Sequence, residues 1–492
     1  MSQVTVNIAD KETLDAVKVA VDNANTNASN ANTNAAAAKT AAESAKTSAD
    51  AAKSAVDTLS TDVGTIKDDV ATISKNTEDL QTSIEAMQTV LDDIQENGVT
   101  SSGSGSGSGG DSESGGSDSE SGSGGGSSGT TTVTPKRYGV RIKKSESDPS
   151  SRVEYILDAI GMTPAKMDFT SGAFDYGDWA DVWFVKNNAP VMLKRDGTED
   201  YELNPNDYTK KVDGTSSDVA NTSYAGNAMS RIPLCYVYMY QDSTYEYIIV
   251  SNTKYDDTYI AMAHTRSDGT IQDNIYLAMF RGWKDSSGYL RSISGQYPTG
   301  SLTAQQELDA AALNGSLWCT RTWGQRCLIN ALLLIMSRTD DSQTAFGHGN
   351  QSGYNSSDTT NYGKLQSGTL NKMGQFFGYN TDKSQVKVFH MEAWWGDLSD
   401  RIAGLINDKG TIKVSLTGPY NITADGYTTV SSYPGFSGSS GYLMDSYTSN
   451  YGRIPYKTGG SSSTYNCDYF YFNTSQLNYA CVGGDCGGDA RC

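Results

Sequence analysis

Residues 323–337 read WGQRCLINALLLIMS. Leu328, Leu332 and Ile335 recur at helical spacing along one side, and the rest of the stretch is apolar almost all round. A helix of that kind has no face to give to water, so it is predicted to lie inside a core. A second, shorter helix is predicted over 304–313, opened by a capping box of Thr303 and Gln306. Around these two, the pattern is one of short strands and turns. Runs 234–240 and 245–251 flank Gln241-Asp242-Ser243-Thr244 and read as a hairpin. Runs 257–265 and 271–281 flank Ser267-Asp268-Gly269-Thr270 and read as another. Asp196-Gly197-Thr198 marks a third turn, between 191–194 and 200–203. Many strands with two helices predict an α+β domain over residues 135–492, whose part from 340 onward is rich in loops.

Composition divides the 492 residues sharply. Residues 1–134 hold no aromatic residue, no proline and no cysteine. All 7 Trp, 30 Tyr and 11 Phe lie at or after Tyr138. The net charge is −19. A nucleic-acid partner needs a basic footprint to neutralise phosphates, and none is visible; an anionic membrane is disfavoured on the same ground. The longest strongly apolar run, 327–336, is too short to span a bilayer, so no membrane insertion is expected. The start, MSQVTVNIADKETLDA, lacks the regions of a secretory signal, which points to synthesis in the cytoplasm. Seven scattered cysteines do not suggest a disulfide framework. Cys481-x4-Cys486-x5-Cys492 is a poor zinc spacing. No metal or other cofactor is expected.

Toward the amino terminus, a heptad register runs from Leu14 to Ile94. Its a and d positions are Ala-rich from Ala24 to Ala52 and bulkier afterwards, through Val56, Leu59, Val63, Ile66, Val70, Ile73, Leu80, Ile84, Met87, Leu91 and Ile94. Thr77 is the polar exception. Such a seam predicts a parallel coiled-coil stalk over 1–97, roughly 120 Å long at the rise of an α-helix. Its mixture of Val, Ile and Leu leaves two or three strands open. Residues 98–134 are Gly, Ser and acidic residues with nothing to bury, and read as a flexible linker.

Several long stretches carry a resemblance. PVMLKRDGTEDYELNPNDYTKKVDG (190–214), WGQRCLINALLLIMSRTDDSQTAFGHGN (323–350) and VKVFHMEAWWGDLSDRIAGLI (386–406) resemble tail-fibre and head-fibre proteins of gut bacteriophages. NYACVGGDCGGDARC (478–492) resembles the opening of their carboxy-terminal segment. The resemblance implies a C-type-lectin-like fold at the carboxy-terminal end, varied in some members by diversity-generating retroelements. It also implies a homotrimer, attachment to other virion proteins through the stalk, and a place on the phage tail or capsid. The fold class expected is thus an α coiled-coil stalk plus an α+β carboxy-terminal domain, lectin-like at its end.

The closing run SSSTYNCDYFYFNTSQLNYACVGGDCGGDARC is rich in Tyr, Ser, Asn and Gly. Tyr offers large, stiff, amphipathic contact area, and the small polar residues adapt to a partner. Tyr465, Asn466, Asp468, Tyr469, Asn478, Tyr479, Asp485 and Asp489 are the candidate contacts to a host cell-surface protein or glycan. Several of them could equally be framework strand residues, above all within 469–472. Two other readings compete. A tail-spike glycan depolymerase would need two carboxylates across a sugar cleft, and Asp397 and Asp400 beside Trp394 and Trp395 are the best pair. The plainer reading puts the Trp pair in the core and has Asp397 and Arg401 tie down a turn. A decorative capsid fibre would need no dedicated receptor. No Glu-Pro-Asn or Gln-Pro-Asp signature of a calcium-dependent lectin is present, and His264, His348 and His390 fit no metal or nucleophile pattern.

Overall fold

A computed structural model describes residues 134–484 and Cys486, together with residues 15–25 and scattered positions between 27 and 92. The chain divides into two compact units, Met1–Gly125 and Gly126–Cys492.

The second unit is built mainly from antiparallel sheets packed around one helix. A four-stranded sheet runs in the order Val153–Leu157, Arg137–Lys143, Tyr245–Ser251, Tyr236–Gln241. Its alternation is that of a half-buried sheet. Val140, Ile142, Ile248, Val250, Val237 and Met239 point into the core. On the other face, Tyr238, Tyr240 and Tyr247 stack in sequence, with ring centroids 4.6 and 4.4 Å apart. A five-stranded sheet follows the order Asn274–Ala278, Gly226–Pro233, Ala189–Lys194, Glu199–Asn204, Asp207–Lys211. Toward the carboxy terminus, Thr428–Thr429, Thr411–Val414, Asp400–Asp408 and Leu477–Val482 form a third sheet. Gly452–Thr458, Gly441–Ser449 and Tyr469–Phe470 form a fourth.

The helix Trp323–Ser337 lies among these layers. Thr322 and Gln325 close a capping box at its start, and Arg338 ends it in the left-handed conformation at φ 52°. Leu328, Ile329, Leu332, Ile335 and Met336 are fully buried. Gly324 is fixed by packing: a Cβ there would stand 2.5 Å from the Met262 carbonyl oxygen. One continuous hydrophobic core runs from Val140 in the first sheet, through this helix, to Ile454 in the last. The second predicted helix forms at Ala304–Ala312 with the Thr303/Gln306 capping box. The hairpin about 241–244 and the turn at 196–198 also form.

Two expectations are corrected. The predicted architecture was an α coiled-coil stalk plus an α+β domain with a C-type-lectin-like end. The described fold is instead mostly β-sheet with short helices, and no long coiled-coil stalk is evident among the described residues. Residues 15–25 are helical, but Val17 and Val21 of the seam are 57% and 52% exposed. Ile84 and Met87 are helical and likewise exposed. An apolar heptad pattern shows that a helix could bury one face; it does not supply the surface that would cover it, and helix without tertiary packing is only marginally stable. Val56, Leu59, Val63, Ile66, Val70, Ile73, Leu80, Leu91 and Ile94 lie outside the described residues, as does the linker up to 133. At the other end, residues beyond 340 share the core of the first sheet rather than closing a lectin-like core of their own.

The second correction is narrower: the turn expected about 267–270 forms, with the Arg266 amide donating to the Thr270 carbonyl at 2.9 Å and the Gln272 amide to the His264 carbonyl at 3.0 Å, but the flanking runs do not pair as long strands. Thr265 and Ile271 make only an isolated bridge. The Thr265 hydroxyl donates to the Ala261 carbonyl, and His264 Nδ1 donates to the Gln272 carbonyl at 3.1 Å. These side chains satisfy backbone groups that a ladder would have used. His264 is 1% exposed, and burial pushes its imidazole down to about 4.

The folded state therefore resists protonation that the unfolded chain accepts near 6.5. Stability from this site is whole above pH 6.5 and is lost as pH falls toward 4, by up to about 3 kcal/mol. Urea titrations of the wild type and His264→Gln across pH 4–7 should show a shallower acid loss in the variant.

Candidate functional site

A cavity of about 600 Å³ opens beside the central helix. One wall is the helix itself, through Trp323, Arg326, Cys327 and Asn330. The hairpin strands Gly441–Ser449 and Gly452–Thr458 form the second wall, and residues 466–473 and 478–484 close it. Its volume falls in the range of small-molecule and glycan-sized sites. The rim is aromatic. Phe436 stacks on Phe472 at 4.5 Å and meets Phe470 at 5.6 Å, while Tyr469 lies 4.6 Å from Tyr471. Tyr471 is 63% exposed.

The floor is charged and buried. Arg453 Nε donates to Glu246 Oε2 at 2.8 Å, and its Nη1 donates to Asp340 Oδ1 at 2.6 Å. Arg152 reaches the other oxygen of Asp340 at 3.2 Å. Thr448 Oγ1 donates to Glu246 at 2.5 Å. With its amide oxygen turned toward Arg453, Asn466 accepts from Nη1 at 2.9 Å and Nη2 at 3.1 Å. Tyr465 lies over the Arg152 guanidinium, 5.2 Å from the ring centroid. Tyr465 and Cys467, on either side of Asn466, both adopt left-handed backbone at φ 58° and 59°. Each such non-glycine residue costs about 1–3 kcal/mol, a strain that the surrounding bonds must hold. The Tyr465 amide, tied to the Ser147 carbonyl at 2.7 Å, is one of those bonds.

Asp468 stands differently. It lines the cavity, and Asp341 and Asp340 lie near enough to repel its charge. Burial, and then those two carboxylates, hold its carboxyl well above the usual range, against the pull of Arg326 and Arg453. When protonated, such a carboxyl can donate a hydrogen bond as well as accept one.

Of the residues singled out in the sequence, Asn466, Asp468, Tyr469, Asn478 and Tyr479 line this cavity. Asn466 and Asn478 also hold the frame: Asn478 donates to the Asn473 and Gln476 carbonyls at 2.8 and 3.0 Å. Tyr465 backs the charged floor without lining the cavity. Asp485 and Asp489 lie outside the described residues. Sequence reasoning missed Arg326, Asp340, Arg453 and Phe436. Arg326 had a signal, a single guanidinium within a stretch read as buried. Arg453 had a weaker one, as the charged residue entering a strand whose alternate positions are apolar.

The alternative catalytic pair is not assembled. Trp394 and Trp395 are buried in the core, with their indole nitrogens bound to Asn330 Oδ1 at 2.9 Å and to the Gly347 carbonyl at 3.0 Å. Asp397 is buried at 1% exposure, and accepts from Asn350 Nδ2 at 2.8 Å and the Leu365 amide at 2.7 Å. Asp400 is gripped by Arg281 and Arg321. Arg401 pairs with Glu307 at 2.5 Å rather than with Asp397. Among the described residues, no cluster of three His, Cys, Asp or Glu side chains could hold a metal ion. No family model matches this chain, and no curated protein matches it.

Removing Arg453 would leave Glu246 and Asp340 buried without their shared counter-charge. Arg453→Ala should cost about 3–5 kcal/mol in chemical denaturation. Asp468→Asn should act in the opposite sense. The folded state holds this proton to higher pH than the unfolded chain does, so the wild type loses stability as pH rises above 3.8 through the raised value. The variant, with no carboxyl to ionise, should show a higher melting temperature than the wild type at pH 7 and the same one at pH 4.

Proposed function

We propose that this protein is a phage fibre subunit that attaches the virion to its host, and that the cavity beside the central helix receives a cell-surface receptor group. The observation that carries this reading is the cavity itself: an aromatic rim over a floor of fixed charges, with Asp468 kept at a cost to stability. A half-buried carboxyl facing a cavity, beside two other carboxylates, is a candidate for binding rather than packing. The long stretches that resemble tail-fibre and head-fibre proteins support the same reading.

Such a fibre would act in several copies, a trimer by the family resemblance, with residues before 98 directed to other virion proteins. Weak single contacts then gain from effective concentration.

Tyr471 is the residue with which to test this, because its exposure makes it expendable to the fold. Tyr471→Ala should leave stability within about 0.5 kcal/mol of the wild type. As a soluble competitor of phage adsorption, the variant should need at least roughly tenfold higher concentration, since aromatic anchors dominate binding surfaces. Equal competition by the two proteins would refute the assignment of this cavity.

A further inference from the structure

A second cavity of about 220 Å³ adjoins the first at Ser399 and lies between the helix Ala304–Ala312, the loop 317–321 and the start of the strand Asp400–Asp408. Its lining is unusual for a chain of net charge −19: Arg281, Arg291, Arg321 and Arg401 face it, against Glu307 and Asp400. The bonding of each guanidinium separates structure from surplus. Arg291 is consumed by Asp285 at 3.1 Å and by the Tyr224 and Gly226 carbonyls at 2.6 and 2.8 Å. Arg401 is paired with Glu307. Arg281 binds Asp400 and the carbonyls of Ala393 and Gly396 at 2.7 and 2.9 Å.

Arg321 remains. It shares Asp400 with Arg281, one carboxylate between two guanidiniums, and lies over the Trp394 ring at 4.2 Å. Its side chain is only 12% exposed. Its contact with Asp400 uses Nη1, and among the described residues no acceptor meets its other nitrogens. With Asp285, the partner of Arg291, counted beside Glu307 and Asp400, three carboxylates meet four guanidiniums and about one positive charge is left over. None of the Arg321 nitrogens is among the buried polar atoms left without a partner, so those not bound to Asp400 are open to a ligand entering the cavity.

We propose that this cavity binds the carboxylate of an acidic sugar residue, with Arg321 as its principal ligand. Guanidinium offers paired donors that match a carboxylate in one plane, and the surplus of one charge suits a monoanion rather than a phosphate dianion. The remaining walls suit a sugar ring. Gln325 and Ser399 stand on the polar side; Leu290, Leu317 and the Trp318 ring give an apolar side for the C–H face. The volume is below that of drug-sized sites and accepts roughly one ring. Arg321 does not line the receptor cavity, so failure of this site would leave that reading untouched.

The test is calorimetric titration of the full chain with sodium glucuronate, methyl glucoside and inorganic phosphate. Glucuronate should bind, methyl glucoside should bind at least roughly tenfold more weakly, and added salt should weaken glucuronate binding. Arg321→Gln should lose at least tenfold in affinity for glucuronate. Glu307→Gln, which removes a competing carboxylate, should gain affinity, and this second variant keeps the test decisive if Arg321→Gln folds poorly. Equal binding of the neutral sugar, tighter binding of phosphate than of glucuronate, or unchanged affinity in a folded Arg321→Gln would each overturn the proposal.

Discussion

Arg453 ties together distant parts of the second unit. It donates to Glu246, 207 residues earlier, and to Asp340, 113 residues earlier. Glu246 comes from the first sheet, Asp340 from the chain just beyond the central helix, and Arg453 from the closing hairpin. Arg152 then shares Asp340 and is itself capped by Tyr465. Four segments are therefore held at one point by charges with almost no access to water. Such a network adds little net stability over an apolar core of the same shape. Its value is geometric: it fixes which hairpin edge faces the helix, and so leaves a cavity where close packing would otherwise run on.

The same constraint explains why the cavity lining falls into two classes. Asn466 is part of the network, pinned by Arg453 and flanked by two strained residues. Asp468, two positions on, sits outside it and meets the repulsion of Asp340 and Asp341. A loop bound that firmly at 465–467 can carry an unfavourable carboxyl at 468 without rearranging. The stability of the network is what lets the neighbouring position be spent on something other than stability, and binding sites are the usual reason for such spending.

What could be read in the sequence were the local features. The central helix was legible because its fifteen residues are apolar nearly all round at helical spacing. The turns at 196–198 and 241–244 were legible because Asp, Gly and Ser have few other uses between apolar runs. The failures have one physical source, the absence of partners from a linear pattern. The heptads from Leu14 to Ile94 state an apolar face but not what covers it. The run 257–265 has strand composition, yet the side chains of His264 and Thr265 take up the backbone carbonyls of Gln272 and Ala261. For the site, the aromatic and amide residues of 466–479 were visible from composition. Arg453, Asp340 and the Arg281–Asp400–Arg321 group were not, because their meaning arises only when segments about eighty to two hundred residues apart converge, and long-range pairing leaves no local signature.

That difference in origin also divides what the head can vary from what it cannot. The rim residues belong to the weakest elements of the fold. Tyr469–Phe470 is a two-residue strand, and Leu477–Val482 has no fully buried position. Substituting Tyr471 or Leu477 changes contact area and leaves the core from Val140 to Ile454 intact. The floor behaves otherwise: a change at Arg453, Asp340 or Glu246 strands a buried charge and is felt by the whole domain. The cavity therefore combines a replaceable rim with an irreplaceable base. A fold so arranged can alter the surface this cavity presents by substitution at the rim alone, at energies small beside those that hold the central helix in place.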